Sequence, residues 1–231
     1  MSTTDKAGEP DTPAVPHHRP ARCLRPRGVV DLRGRADPPA VLAYPADAVV
    51  VVSGLPGSGK STVMERWSKA APAIDPRAAH LACEAVMPAW LPYGVYRPWA
   101  RLRHFRWLCR QMRRTSPVLV HDCGSRAWLR RWLARYAERR GRELHVVLLD
   151  VGADEALAGQ EARARWASPR VFARHRRGLD RLLRALPGPG AAHPAGAVVP
   201  VPRPLAETAS IVLLDRISRE HVAAATFGRL P

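Results

Sequence analysis

Eight consecutive residues, Gly54-Leu55-Pro56-Gly57-Ser58-Gly59-Lys60-Ser61, follow the spacing G-x-x-x-x-G-K-S/T, with Thr62 next in line. The residue types account for the spacing. Glycines at the first, fourth and sixth places let the backbone curl until successive N–H groups converge on one concavity, a shape suited to phosphate oxygens. A lysine directly after the last glycine can reach the β- and γ-phosphates of a nucleoside triphosphate. The hydroxyl of Ser61 is a ligand type for Mg²⁺. A helix that starts at Lys60 would add its positive end to the same anion. Gly54 to Thr62 is therefore the candidate nucleotide-binding segment. With no N-K-x-D motif to read guanine, ATP with Mg²⁺ is the expected ligand pair.

Such a loop needs a buried strand before it and a helix after it, and the flanking pattern supplies both. Ala48 to Ser53 is a β-branched apolar run, and a helix is expected from Lys60 to about Ala70. Downstream, short apolar runs alternate with longer helical stretches. Expected strands are Ala73-Ile74, ending at Asp75; Val118 to Val120, ending in His121-Asp122; Leu144 to Leu149, ending at Asp150; and Ile211 to Leu214. Expected helices span Pro98 to Arg114, the segment after Ser125 up to Gly141, Glu155 to Arg165, Pro169 to Leu186 and Arg216 to about Ala225. Strands alternating with helices call for an α/β fold with a parallel sheet covered on both faces. Residues 1–45, rich in Pro and Arg, read as a disordered or loosely attached arm with a short strand near Gly28 to Leu32. Residues 46–231 read as the folded domain, and residues 187–204 as a loop or insertion.

Composition narrows the classes. A chain of 231 residues with 46% hydrophobic content can bury one α/β core. No apolar run approaches the roughly 20 residues of a membrane-spanning helix, and no secretory leader is visible, so a cytoplasmic address without membrane contact is expected. The cysteines Cys23, Cys83, Cys109 and Cys123 show neither metal-ligand nor C-x-x-C spacing. The formal charge is +17, and of the 37 basic residues only Lys6, Lys60 and Lys69 are lysine. That charge suits a polyanionic partner such as nucleic acid. An arginine-for-lysine skew with abundant Ala and Pro also follows from GC-rich coding, and both readings stay open.

The segment Val51 to Thr62 resembles the opening of the small P-loop kinases, a group that includes gluconate-kinase-like, polynucleotide-5′-hydroxyl-kinase-like and zeta-toxin-like proteins. The resemblance extends over about Ala48 to Gly228. It implies a P-loop NTPase three-layer sandwich with a five-stranded parallel sheet, an Arg-rich helical lid and transfer of the γ-phosphoryl group of ATP to a hydroxyl. It also assigns roles. Asp75, after the second strand, stands where the group keeps a base for the acceptor hydroxyl, although Arg77 follows more closely than the group's D-x-x-R spacing. Asp75 is equally readable as a turn former before Pro76. Asp122, after the third strand, stands near the metal and acceptor in that group, and is otherwise a turn residue. Gln160, Arg163, Arg165, Arg170 and Arg174 fall in the lid at about residues 154–175, where guanidinium groups neutralise charge that spreads in the transition state.

The acceptor side would be residues 76–116. There the stretch Trp90 to Arg97 is aromatic, Pro-punctuated and not helically periodic, which favours a substrate-contacting loop. Nothing in it names the hydroxyl acceptor. Two rival readings remain: an NTP-hydrolysing switch that acts on a protein partner, and a nucleic-acid-binding protein. A 5′-hydroxyl polynucleotide kinase would join the second rival to the kinase reading.

Overall fold

Four valines in a row, Val49 to Val52, are each fully buried, as only a central strand of a parallel sheet demands. In the computed structural model, which describes residues 22–124, 126–162, 167–186, 199–202 and 205–228, they belong to β4 (Val49–Gly54). The earlier strands are β1 (Cys23–Leu24), β2 (Gly28–Asp31) and β3 (Val41–Tyr44). After β4 come α1 (Lys60–Trp67), β5 (Ala73–Ile74), α2 (Pro76–Glu84), α3 (Tyr93–Met112), β6 (Val118–Asp122), α4 (Ala127–Glu138) and β7 (Leu144–Leu149). The chain continues through α5 (Ala153–Glu161), α6 (Pro169–Leu183), β8 (Ser210–Leu214), α7 (Arg216–His221) and β9 (Ala224–Phe227).

The main sheet has six strands in the order β2-β8-β7-β4-β6-β5, with every pairing parallel. From β4 the chain crosses to β5, returns through β6 to one flank of β4, then builds β7 and β8 on the other flank. The direction of travel reverses at β4, so the crevice at the carboxyl ends of β4 and β6 is the topological switch point where such sheets take ligands. The strand's two-residue period divides the core. Val49 and Val51 pack with Leu108 of α3, Leu133 of α4 and Leu179 of α6. Val50 and Val52 pack with Val63, Met64 and Trp67 of α1, and with Leu42 and Tyr44 of β3. This is the expected three-layer parallel sandwich.

The sheet has one strand more than the five expected, because the region read as an arm contributes to it. Residues 22–45 are strand-bearing: β2 pairs with β8, Val29 opposite Ile211, and extends the sheet at its edge. Arg33, just beyond β2, donates to Asp31 Oδ2 and to Asp150 Oδ2, both at 2.6 Å. A second small parallel sheet, β1-β3-β9, covers the α1 side. The expected last helix therefore stops at His221, and Ala224 to Phe227 is a strand. Pairing opposite Val41 to Tyr44 decides this, and no local signal in the segment announces it.

The acceptor-side segment also differs. Asp75 and Pro76 start a helix, α2, that the periodicity did not suggest. Tyr93 to Arg97, expected as loop, form the first turns of α3, so that Pro98 lies inside the helix. Cys83 of α2 packs on Tyr96 and Ala100 of α3, and this contact overrides the proline. Ser125 and residues 187–198 lie outside the described residues.

Candidate functional site

The loop after β4 is held in shape by its own glycines. Gly57 adopts φ 91°, and a Cβ there would come within 1.9 Å of the carbonyl oxygen of Ala156. Gly159 in turn leaves room for the Gly57 carbonyl, so the loop lies directly on α5. Gly59, at φ 87°, is the N-cap of α1, and a Cβ there would meet the Arg219 guanidinium at 2.9 Å. No side-chain hydrogen bond caps this helix end, and the positive pole of the helix dipole opens on the loop.

Lys60 is buried and bends back along the loop, its Nζ donating to the Gly54 carbonyl at 2.9 Å and to the Leu55 carbonyl at 2.6 Å. The ammonium is thereby parked beside the loop it would serve, and exposed Ser61 follows it. Both line a cavity of about 340 Å³ together with Asp75, Arg77, His121 and Gln160. Pro56, Gly57 and Gly59 complete the loop side of this cavity.

Asp75 forms the turn before Pro76 and also lines the cavity. It is the N-cap of α2, accepting the Arg77 backbone N–H at 2.9 Å, with Pro76 at the first helical position. It also faces Lys60 and Ser61 across the cavity. One carboxylate oxygen orders the helix start, and the other is available to a ligand.

Asp122 sits behind the cavity and does not line it. At the end of β6 the two-residue period sends His121 and Cys123 to the cavity and turns Asp122 toward α4. There Arg130 Nη1 donates to Asp122 Oδ2 at 2.6 Å, and the backbone N–H of Gly124 donates to the same oxygen at 3.1 Å. Ser53 Oγ, on the strand leading into the loop, donates to it at 3.3 Å. Asp122 Oδ1 is buried without a hydrogen-bond partner among the described residues. Burial and the nearby Lys60 charge push the His121 imidazole down to about 4, so it is neutral at pH 7.

Among the described lid residues, Gln160 is buried, accepts the Ala167 N–H at 2.7 Å, and leaves its amide nitrogen without a partner beside the cavity. Arg163 and Arg165 lie outside the described residues. Arg170 is exposed on the first turn of α6, and Arg174, one turn further on, lines a separate cavity.

Arg219 was missed by sequence reading. From α7 it donates to the Ser58 carbonyl at 2.7 Å and approaches Glu155 Oε1 at 3.6 Å, bridging the phosphate loop, the lid and the last helix. The available signal was the D-x-x-S capping box, Asp215 with Ser218, which starts a helix at the carboxyl end of β8 and aims it at the loop. Arg219 and Arg216 border a further cavity of about 560 Å³ on the other side of the loop, with Gly57, Gly59, Thr62 and Arg66.

The site fits a Mg²⁺–nucleotide. Glycine cradle, lysine and helix end match a triphosphate, and the unpartnered Gln160 amide nitrogen is a donor suited to phosphate oxygens. The exposed Ser61 hydroxyl is a ligand type for Mg²⁺. Among the described residues no group of three or more His, Cys, Asp or Glu converges on a metal position, so phosphate oxygens and water would complete the coordination of a cation here. No helix among the described residues is long and apolar enough to cross a membrane.

Residues 49–187 match a protein-family model described as an AAA domain. No curated relative matches the chain. Among solved structures, the chain is similar to a gluconokinase from Sinorhizobium meliloti, with 21% identity, 78% of this chain and 92% of that one covered, and a TM-score of 0.41. It is similar to the tunicamycin resistance protein of Deinococcus radiodurans at 16% identity, with 59% and 80% covered and a TM-score of 0.39. A likeness to the PezAT toxin–antitoxin system of Streptococcus pneumoniae covers 53% of this chain and 54% of that one, at 12% identity and a TM-score of 0.42.

Proposed function

The chain belongs to this AAA domain family, a group of small P-loop kinase-like proteins, and we propose that it transfers the γ-phosphoryl group of ATP to a hydroxyl of a small molecule or nucleotide. The observation that carries the reading is the shared cavity of Lys60, Ser61 and Asp75: a phosphate cradle and a carboxylate face each other across a space that can hold a hydroxyl. The phosphate loop separates that space from the cavity of Thr62, Arg216 and Arg219. A nucleotide whose phosphates fill the loop then has its nucleoside on the α7 side and its γ-phosphate on the Asp75 side.

In this arrangement Lys60 exchanges its two loop carbonyls for the β- and γ-phosphate oxygens. Ser61 would hold Mg²⁺, and the cation would supply charge neutralisation on the phosphate oxygens. Asp75 orients the acceptor hydroxyl and takes its proton as the new oxygen–phosphorus bond forms. The bond from the γ-phosphorus to the bridging oxygen breaks, and ADP departs with that electron pair. Asp122 is one step removed: Oδ2 stays with Arg130, and any part the carboxylate would have toward Mg²⁺ would be indirect, through Oδ1. From the lid, Arg170 joins Gln160 in neutralising charge on the γ-phosphate; Arg163, the other lid arginine expected from the sequence, lies outside the described residues.

The test is label transfer from γ-labelled ATP with Mg²⁺ to pooled sugars, nucleosides, small alcohols and 5′-hydroxyl oligonucleotides, beside Lys60→Ala. Label on an acceptor, lost in the variant, supports the phosphotransferase and names its substrate class. Label released only as inorganic phosphate, still dependent on Lys60, replaces it with the NTP-hydrolysing switch.

A further inference from the structure

Next to the phosphate site lies a larger cavity of about 610 Å³, enclosed by α2, α3, α4 and α6. It begins at Pro76, one residue from the Asp75 carboxylate, which is near enough to His104 inside this cavity to act on its charge. Its walls are aromatic, with Tyr93, Phe105 and Trp128. Arg97, Arg101, Arg126 and Arg174 line it, and no carboxylate does.

An arginine-rich chain places arginines everywhere, so what each one does separates a site from a background. Of this cavity's four, Arg126 is half-buried and Arg97, Arg101 and Arg174 are exposed; the other buried and half-buried arginines among the described residues are occupied. Arg142 donates to the carbonyls of Asp47, Met112, Arg114 and Ser116. Arg130 is bound to Asp122, Arg33 to Asp31 and Asp150, and Arg219 to Ser58. The side chains of these four arginines form no hydrogen bond or ion pair among the described residues. Four cations on one concave surface repel each other unless an anion joins them.

A second, independent observation points the same way. His104, only 7% exposed, lines the cavity, and both of its ring nitrogens are buried without a hydrogen-bond partner. Leaving a buried polar group unpaired costs about 1–3 kcal/mol, and a ligand with hydrogen-bonding groups would restore the bonds.

We propose that this cavity is the acceptor pocket and that it selects hydroxyl compounds carrying an anionic group, a phosphate or a carboxylate. The anion is held by Arg126 and Arg174, with Arg97 and Arg101 around it, and His104 bonds the body of the acceptor. The hydroxyl then emerges past Pro76 toward Asp75. This deepens the phosphotransferase reading and rests on it for the direction in which the hydroxyl points; the anion site itself does not depend on it.

The test uses matched acceptors that differ in charge: glycerol and glycerol phosphate, glucose and gluconate, adenosine and adenosine 3′-monophosphate, with inorganic phosphate as the simplest probe. Equilibrium binding and label transfer are measured separately on the full chain, on Arg126→Gln/Arg174→Gln, and on Arg110→Gln, which removes an exposed α3 arginine outside this cavity. The expected result is binding of the anionic member at least about tenfold tighter, the size of one charge-assisted contact, with the preference lost in the double variant and kept in Arg110→Gln. Phosphate and carboxylate partners are told apart by which pair shows the larger ratio. Equal binding within every pair, or a loss no larger in the double variant than in Arg110→Gln, overturns the proposal. Arg126- and Arg174-dependent binding without label transfer keeps the anion pocket and removes the kinase reading. Transfer to neutral members alone does the reverse.

Discussion

Arg219 Nη1 donates to the carbonyl oxygen of Ser58 at 2.7 Å, a tie between residues 161 positions apart that holds the phosphate loop to the last helix. The guanidinium also fills the space above Gly59, where a Cβ would collide with it. Replacing Arg219 with Ala loosens the loop and removes a cation beside the phosphates. ATP affinity is expected to fall about tenfold or more, on the scale of one charge-assisted hydrogen bond. Equilibrium nucleotide binding checks this, and an unchanged affinity would remove Arg219 from the site.

Asp75 joins a helix cap to a proposed base, and two substitutions separate these roles. Asp75→Asn keeps an oxygen that can accept the Arg77 N–H, so the melting temperature should change little while phosphoryl transfer falls by about 10²–10⁴. Asp75→Ala loses the cap as well, with a further cost of about 0.5–2 kcal/mol in stability. Turnover and thermal melting on both variants decide the matter. Full turnover in Asp75→Asn would end the base assignment.

Asp122 and Arg130 form a buried ion pair at 2.6 Å, with side chains 1% and 7% exposed. Arg130→Met leaves the carboxylate buried without its cation and should cost about 3–5 kcal/mol in denaturant unfolding. Adding Asp122→Asn should recover a large part of that loss, because the stranded charge is then gone. If the double variant is no more stable than the single one, the pair is not the source of the penalty.

The pH dependence of stability should carry a histidine signature. His145 is buried under the Tyr44 ring at 4.9 Å, its Nδ1 meets Ser210 Oγ at 2.8 Å, and its Nε2 lies 3.2 Å from Glu143 Oε2. Burial pushes its imidazole down to about 4; Glu143 opposes the shift and Arg27 adds to it. Below the unfolded value of about 6.5 the unfolded chain takes a proton that the folded chain refuses, so stability falls as pH drops from 6.5 toward 4. At pH 5 this one group should cost on the order of 2 kcal/mol. His145→Gln should flatten that part of the profile, measured by denaturant midpoints between pH 7 and 5. An unchanged slope would refute it.

Local rules made much of this protein legible. The spacing from Gly54 to Ser61 specifies a phosphate cradle because a lysine and a hydroxyl must follow the last glycine, whatever the rest of the chain does. The valine run before it could only be a buried central strand, and the alternation of runs implied a parallel sheet with helices on both faces. By itself, then, the sequence determined the phosphate loop, its flanking strand and helix, and the class of the fold. Tertiary pairing decided what no local signal carries. The short strand expected near Gly28 to Leu32 joined the main sheet because β8 offers an open parallel edge, and Ala224 to Phe227 left the helical pattern to pair with β3. Strand pleating, which acts on single residues, turned His121 to the cavity and Asp122 to Arg130. Which arginines serve a ligand also belongs to the tertiary structure. Arg142 and those of the second cavity have the same chemistry in the sequence, and only their neighbours distinguish them: carbonyls around the first, open space and a buried unpaired histidine around the others.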